Sequence, residues 1–172
     1  MKKILLGTLC LLLTFFTISC ALLPKPSEKV FSEEDLSLTL DDSFSSLETT
    51  EQILSLVSER YGYAVTAHKD DFFMWEENES QDPPMSLEDY GRHCIEENEL
   101  EASVTSQGDL PCYIYEKEIN GTSFTYLAVL YMTEAAYWNI QFACRTKDFE
   151  KAKTDFLKYA QDVSFTATET AA

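Results

Sequence analysis

Alternation of apolar and polar residues is the first regularity along the chain. Leu36-Ser37-Leu38-Thr39-Leu40 puts a leucine at every second position, the period of a half-buried strand, and Asp41-Asp42-Ser43 ends it as a turn. Tyr63 to His68 repeats the pattern with Tyr63, Val65 and Ala67 on one face, and Phe72 to Trp75 offers a third short strand. The strongest signal begins at Cys112. Cys112 to Ile119 is rich in aromatic and branched residues, and Asn120-Gly121 is a two-residue hairpin turn. Thr122 to Met132 is apolar on both faces and belongs at the centre of a sheet. After a turn at Thr133-Glu134-Ala135, Ala136 to Cys144 sets Trp138, Ile140, Phe142 and Cys144 on one face and Asn139 and Gln141 on the other. These three strands form an antiparallel meander.

Helical spacing appears in three places. Thr49 to Tyr61 reads as a helix, with Thr49 and Gln52 in a capping-box pattern, Ile53, Leu54 and Val57 on one stripe, and Gly62 as the stop. Leu54 and Leu56 fit a strand as well. Ser86 caps a helix running to about Asn98, with Glu88 and Asp89 in the first turn and Leu87, Tyr90, Cys94 and Ile95 as its apolar stripe. Gly91 within it costs about 1 kcal/mol relative to alanine. Thr146 caps a last helix from Lys147 to about Gln161, buried through Phe149, Ala152, Phe156, Leu157 and Tyr159 or Ala160, and Val163-Ser164-Phe165 follows as an edge strand. Helices and strands are segregated, so the class is α+β, with an antiparallel sheet of about 5–6 strands flanked by helices.

The chain opens differently. Lys2 and Lys3 precede an uncharged, mostly apolar run from Ile4 to Ile18, then Ser19 and Cys20. Its fifteen residues suit the apolar core of a secretory signal and fall short of the roughly 20 a spanning helix needs. Thr17-Ile18-Ser19-Cys20 resembles the lipobox of bacterial lipoproteins, with Thr17 where leucine is usual. The resemblance implies cleavage before Cys20 and a diacylglyceryl group on its sulfur, with further acylation giving two or three chains such as palmitate. Each buried methylene contributes roughly 0.8 kcal/mol, so two or more acyl chains make a stable anchor. The implied organisation is a signal peptide over 1–19, a flexible tether over 20–35, one α+β domain over 36–165 and a disordered tail over 166–172. The expected location is the cell membrane or cell envelope, on the extracytoplasmic side.

Charge narrows the partners. The chain carries 30 acidic residues against 13 lysines and arginines, a net charge of −17, and losing Lys2 and Lys3 with the signal takes it to −19. Phosphate backbones need clustered cations, so nucleic acid is not an expected partner, and neither is adhesion to an anionic membrane surface. The expected contacts are the membrane, through the lipid on Cys20, and an unknown envelope protein or ligand. Of five cysteines, Cys94, Cys112 and Cys144 remain after Cys10 and Cys20 are assigned to the signal and the lipid site. None stands in a C-x-x-C pair, and isolated cysteines of this kind are usually buried free thiols.

The helix SLEDYGRHCIEE, the strands CYIYEKEINGTSFTYLAVLY and YWNIQFACR, and the closing DFEKAKTDFLKYAQDVSF resemble PsbP-like domains, and LSLTLDDSF resembles the opening strand of that family. The resemblance implies an αβα sandwich and an assembly, binding or accessory role without enzyme activity. It brings no catalytic motif.

Candidate chemistry is sparse. There is no G-x-S-x-G elbow, no P-loop and no G-x-G-x-x-G, so no catalytic residue, cofactor or metal ligand is assigned. His68 and His93 are the two histidines, and a nucleophilic dyad would have to join His68 to Cys112 or Cys144. Asp70-Asp71 and Glu76-Glu77-Asn78-Glu79 supply oxygen ligands without the spacing of a calcium loop. Between them Phe72, Phe73, Met74 and Trp75 read either as an exposed aromatic patch, with Phe72, Phe73 and Trp75 as a partner surface, or as a buried edge strand. The reading is a non-enzymatic envelope lipoprotein acting as a binding or accessory module. The alternative is a surface hydrolase using a carboxylate pair.

Overall fold

The computed structural model describes residues 26–48, 52–72 and 85–166. Among the described residues, ten strands fall into two antiparallel sheets. The smaller has the order β1-β2-β10, from β1 (Glu28–Glu33), β2 (Leu36–Asp41) and β10 (Val163–Phe165). The larger has seven strands in the order β3-β4-β5-β9-β8-β7-β6. These are β3 (Phe44–Ser46), β4 (Leu54–Ser58), β5 (Tyr63–Asp71), β6 (Thr105–Gln107), β7 (Leu110–Ile119), β8 (Thr122–Met132) and β9 (Ala136–Arg145). Helices α1 (Leu87–Glu97) and α2 (Phe149–Gln161) complete the described chain.

The meander β7-β8-β9 forms as its pattern predicts, with Asn120 and Gly121 both at positive φ in the β7–β8 turn. β9 is the keel of the sheet and is buried on both faces. Trp138, Ile140, Phe142 and Cys144 point to one side, where α2 and the small sheet close a dry core through Phe156, Ala152, Leu36, Leu38 and Leu40. Tyr137 points to the other side, where α1 lays Tyr90, Cys94 and Ile95 on Tyr113, Ala128 and Leu130. The molecule is thus layered, with the large sheet between α2 and the small sheet on one face and α1 on the other.

Three expectations are corrected. Where a helix over Thr49 to Tyr61 was expected, the chain forms β4, a strand that buries Leu54, Leu56 and Ser58 and turns Ser55 and Val57 outward. Period two wins because β4 pairs with β5 and β3, which places both leucines in the core. Gly62 stops no helix; at φ +69° it closes the β4–β5 hairpin with its N–H on the Ser58 carbonyl at 2.8 Å. Second, Glu28 to Glu33, expected in the tether, is β1, the outer strand of the small sheet. Its only buried residue is Phe31, so backbone pairing rather than apolar pattern makes it a strand, and Glu34 at φ 52° turns it into β2. Third, Thr146 does not cap the last helix. Thr146–Asp148 is a single 3₁₀ turn, and the Thr146 hydroxyl meets Ser123 at 2.9 Å and Thr125 at 3.0 Å instead.

Other expectations hold closely. Ser86 caps α1, its hydroxyl oxygen accepting from the Asp89 N–H at 3.1 Å. Gly91 has a packing reason: a Cβ there would stand 2.6 Å from Leu130 Cδ1 and 2.8 Å from Val104 Cγ2, so glycine lets α1 lie close on the sheet. Cys94, Cys112 and Cys144 are buried free thiols. The expected break between a strand ending at His68 and a third strand from Phe72 is a further correction: β5 runs unbroken to Asp71, and Phe72 follows as a turn residue whose N–H donates to the Ala135 carbonyl at 2.8 Å. The remainder of the expected strand to Trp75, the acidic loop behind it, the signal with Cys20 and the C-terminal tail lie outside the described residues.

Candidate binding face

The α1 side of the large sheet is chemically unusual for a sheet interior, because its inward row is tyrosine and amide rather than aliphatic. α1 covers one end of it. There Tyr90 and Tyr137 stack with ring centroids 4.4 Å apart, and Phe72 leans on Tyr137 at 4.7 Å. The Tyr90 hydroxyl donates to Asp70 Oδ2 at 2.5 Å and the Tyr137 hydroxyl to the Met85 carbonyl at 2.7 Å. Asn139 donates its Nδ2 hydrogen to the Tyr113 hydroxyl at 2.8 Å.

Beyond α1 the same row continues into a hollow of about 440 Å³. Register explains its lining: Thr66 faces Gln141 across β5 and β9, Ala143 faces Tyr126 across β9 and β8, and Tyr126 faces Tyr115 across β8 and β7. Tyr113, Tyr115 and Tyr126 form a ladder, the last two stacked at 4.7 Å with planes 7° apart. The Tyr115 hydroxyl donates to Gln141 Oε1 at 2.9 Å. Gln52, Lys117, Ile119 and Phe124 complete the rim. Among the described residues, no carboxylate lines the hollow.

Electrostatics argue against acid–base work here. Burial pushes the Tyr113 phenol up to about 12 and Tyr115 higher still. Both therefore stay neutral and act as fixed hydrogen-bonding groups, far from the near-neutral range a general base needs. The thiols behave alike: burial raises Cys94 and Cys144 to about 11 and also raises Cys112, which keeps all three out of the thiolate form.

The residues weighed from the sequence are mostly kept apart. Cys112 and Cys144 face the α2 core, whereas His68 lies opposite Asn139 on the α1 side, so no dyad assembles through the sheet. His93 and Cys94 diverge on α1, His93 half-exposed with Nε2 3.6 Å from Glu97 and Cys94 buried. Asp70 accepts from Tyr90, and Asp71 is 3.6 Å from Lys69, which also bonds Glu34 at 2.9 Å. Among the described residues no three acidic, histidine or cysteine side chains cluster as metal ligands. Phe72 is half-buried against Tyr137; Phe73 and Trp75 lie outside the described residues.

Carboxylates do gather in a second hollow of about 420 Å³ between β2 and α2, lined by Glu28, Asp41, Asp155 and Asp162. Asp41 there accepts from the Tyr159 hydroxyl and the Ser43 N–H, both at 2.8 Å, and Asp155 from the Tyr63 hydroxyl at 3.2 Å. Burial first, and the adjoining carboxylates second, push the Tyr159 and Tyr63 phenols far above their ordinary value. Asp41 and Asp155 are thus engaged as acceptors that pin α2 to the sheets. The tyrosine–glutamine hollow was missed in the sequence. Its signal was present in the alternate residues of β7, β8 and β9, but Tyr115 and Tyr126 come together only through register.

No protein-family model matches the chain, and neither does any curated protein. Solved structures do. The solution structure of cyanobacterial PsbP from Synechocystis sp. PCC 6803 superposes with a TM-score of 0.51 at 6% identity, covering 86% of this chain and 97% of that one. The fold is PsbP-like. The yeast Ran-binding protein Mog1p, from Saccharomyces cerevisiae, shares it with a TM-score of 0.52 at 11% identity, over 82% of this chain and 96% of Mog1p. A Bacteroides thetaiotaomicron crystal structure matches with a TM-score of 0.53 at 15% identity over 83% of this chain, which spans 50% of that protein's length. At such identities the PsbP-like likeness is one of fold alone.

Proposed function

We propose that this chain is a non-enzymatic binding or accessory module, held on the extracytoplasmic side of a bacterial membrane by lipid on Cys20. The observation that carries the binding role is the hollow beside α1. It is an aromatic-walled concavity on a four-strand platform, its polar groups are amides, phenols, one threonine and Lys117, and among the described residues no carboxylate, histidine or thiol lines it. Of the aromatic run proposed as a partner surface, Phe72 is already engaged with Tyr137, so the hollow is the stronger candidate for contact. The anchor is supported by Lys2-Lys3, the apolar run and Thr17-Ile18-Ser19-Cys20. Among the described residues no helix is long and apolar enough to cross a membrane. Mog1p offers an analogy, at the level of fold only, for a binding role.

Two measurements on cells making the full chain test this reading. The mass of the N-terminal peptide reads a diacylglyceryl adduct at Cys20, and Cys20→Ala loses both the adduct and membrane retention. An unmodified N-terminus in the soluble fraction refutes the anchor. A photo-crosslinking benzophenone side chain at Lys117, which inserts into C–H bonds of whatever lies beside it, gives discrete adducts; the same group at Glu150, exposed on α2, gives none. Equal labelling at both positions refutes the binding face.

A further inference from the structure

We infer that the hollow beside α1 is a carbohydrate site, and that its ligand is a neutral oligosaccharide. This rests on the reading of that face as a binding surface and names what it takes. The hollow lies on the face of β5, β9, β8 and β7, whose backbone groups pair with one another. An added peptide strand needs an open edge, so recognition here is by side chains alone.

Those side chains are selective. In a chain of net charge −17, no carboxylate of the described residues lines the hollow, so they give a cation nothing to bind. Lys117 is its one charged group among the described residues, and a single lysine within so acidic a molecule is too little to hold a multiply charged anion. A purely apolar ligand would strip water from Gln52, Thr66 and Gln141 and replace it with nothing. What remains is a ligand that is uncharged, has apolar patches and carries many hydroxyls.

A pyranose ring has that composition. Its C–H faces bear slight positive charge and suit the negative face of an aromatic ring, here supplied by Tyr126, Phe124 and the outer edge of Tyr115. Its hydroxyls suit amides. Because Gln141 Oε1 already accepts from Tyr115, the amide is held in one orientation, and its two N–H donors have no partner among the described residues. Gln52 and Thr66 add a second amide and a hydroxyl. The volume of about 440 Å³ lies in the range of small-ligand pockets and is open to solvent, as a site for a few units of a longer chain must be.

The test is calorimetric titration of the full chain, in a detergent without a sugar headgroup, with maltohexaose, cellohexaose and the hexamer of N-acetylglucosamine. At least one binds saturably with a Kd below about 1 mM. Its affinity is unchanged between about 0.05 and 0.5 M salt, as befits an uncharged ligand. Tyr126→Ala and Gln141→Leu each weaken it at least about tenfold, a loss of ~1.4 kcal/mol, while Glu150→Gln leaves it unchanged. Should Tyr126→Ala fail to fold, Gln141→Leu and Tyr126→Phe, the latter with near-native affinity, carry the comparison. Absence of binding by all three sugars, or binding that survives Gln141→Leu, overturns the inference. If the sugars fail while the Lys117 crosslinker still captures adducts, the carbohydrate falls and the binding face stands. If both fail, the two readings fall together. Cleavage of the bound sugar would uphold the carbohydrate and overturn the non-enzymatic role.

Discussion

On the side of the large sheet that meets α2, β9 presents Trp138, Ile140, Phe142 and Cys144, all at most 1% exposed, and they close against aromatic and aliphatic neighbours. On the opposite side the same strand presents Tyr137, Asn139, Gln141 and Ala143, and these meet rings, hydroxyls and, past the end of α1, solvent. One strand therefore serves two masters. Its even-numbered residues hold the fold by dispersion and water exclusion; its odd-numbered residues form a polar, oriented surface. The difference teaches where substitution will cost stability and where it will cost recognition.

The largest expected effect is on the α2 side. Phe156 is fully buried and packs on Tyr63 at 4.9 Å, Phe142 at 5.7 Å and Phe149 at 6.4 Å between ring centroids. Phe156→Ala leaves a cavity among three rings and should lose about 3–5 kcal/mol in urea melts. Gly91→Ala breaks the other side more gently. Alanine gains about 1 kcal/mol in helix propensity, but its Cβ would stand inside contact distance of Leu130 and Val104. Overpacking of roughly 1–3 kcal/mol outweighs that gain, so the variant should be less stable than the parent by about 1 kcal/mol. A more stable Gly91→Ala protein would show that α1 is free to lift off the sheet.

How legible this was follows from the same contrast. The meander and α1 could be read because Asn120-Gly121, Ser86 and the alternation in β9 are local signals that tertiary structure reinforced. β4 was lost to helix because Ile53, Leu54, Leu56 and Val57 satisfy both periods, and only pairing with β5 decides between them. β1 was lost because a strand with one buried residue has no apolar pattern to read; its backbone bonds to β2 make it. The short β3 and β6 are edge strands of three residues each and carry no independent signal. The binding face failed for a third reason. Tyr115 and Gln141 are 26 positions apart, and nothing in either segment announces that β8 will bring them within hydrogen-bond reach.

Alkaline pH separates the two sides without mutation. Cys144 on the α2 side and Cys94 on the buried face of α1 are raised from 9.0 to about 11, and Tyr113 under α1 from 10.0 to about 12. In each the protonated form is favoured by folding, so its contribution is complete below the unfolded value and is lost as pH climbs to the folded one. Stability should be flat to about pH 9, fall as the thiols ionise in the unfolded chain, and fall more steeply above about 10 when the tyrosines join them. Cys94→Ala and Cys144→Ala should each flatten the first part of the decline. Urea melts at successive pH values read this directly, and a stability that rises above pH 9 contradicts the burial of these groups.

The smallest effect gives the finest resolution of the polar face. Tyr115 and Tyr126 are stacked neighbours, yet only the Tyr115 hydroxyl has a hydrogen bond among the described residues. Tyr115→Phe removes the donor to Gln141 and should cost about 1 kcal/mol, whereas Tyr126→Phe should stay within about 0.5 kcal/mol of the parent. A double-mutant cycle of Tyr115→Phe with Gln141→Leu isolates the bond, since the second change adds little once the first has removed its partner. Equal costs at Tyr115 and Tyr126 would mean that the face is held by ring packing alone. Gln141 would then have no fixed orientation, and the face would differ from the α2 side only in its exposure. Unequal costs make the amide an oriented group at the edge of solvent, held in place by the fold and left with donors to give.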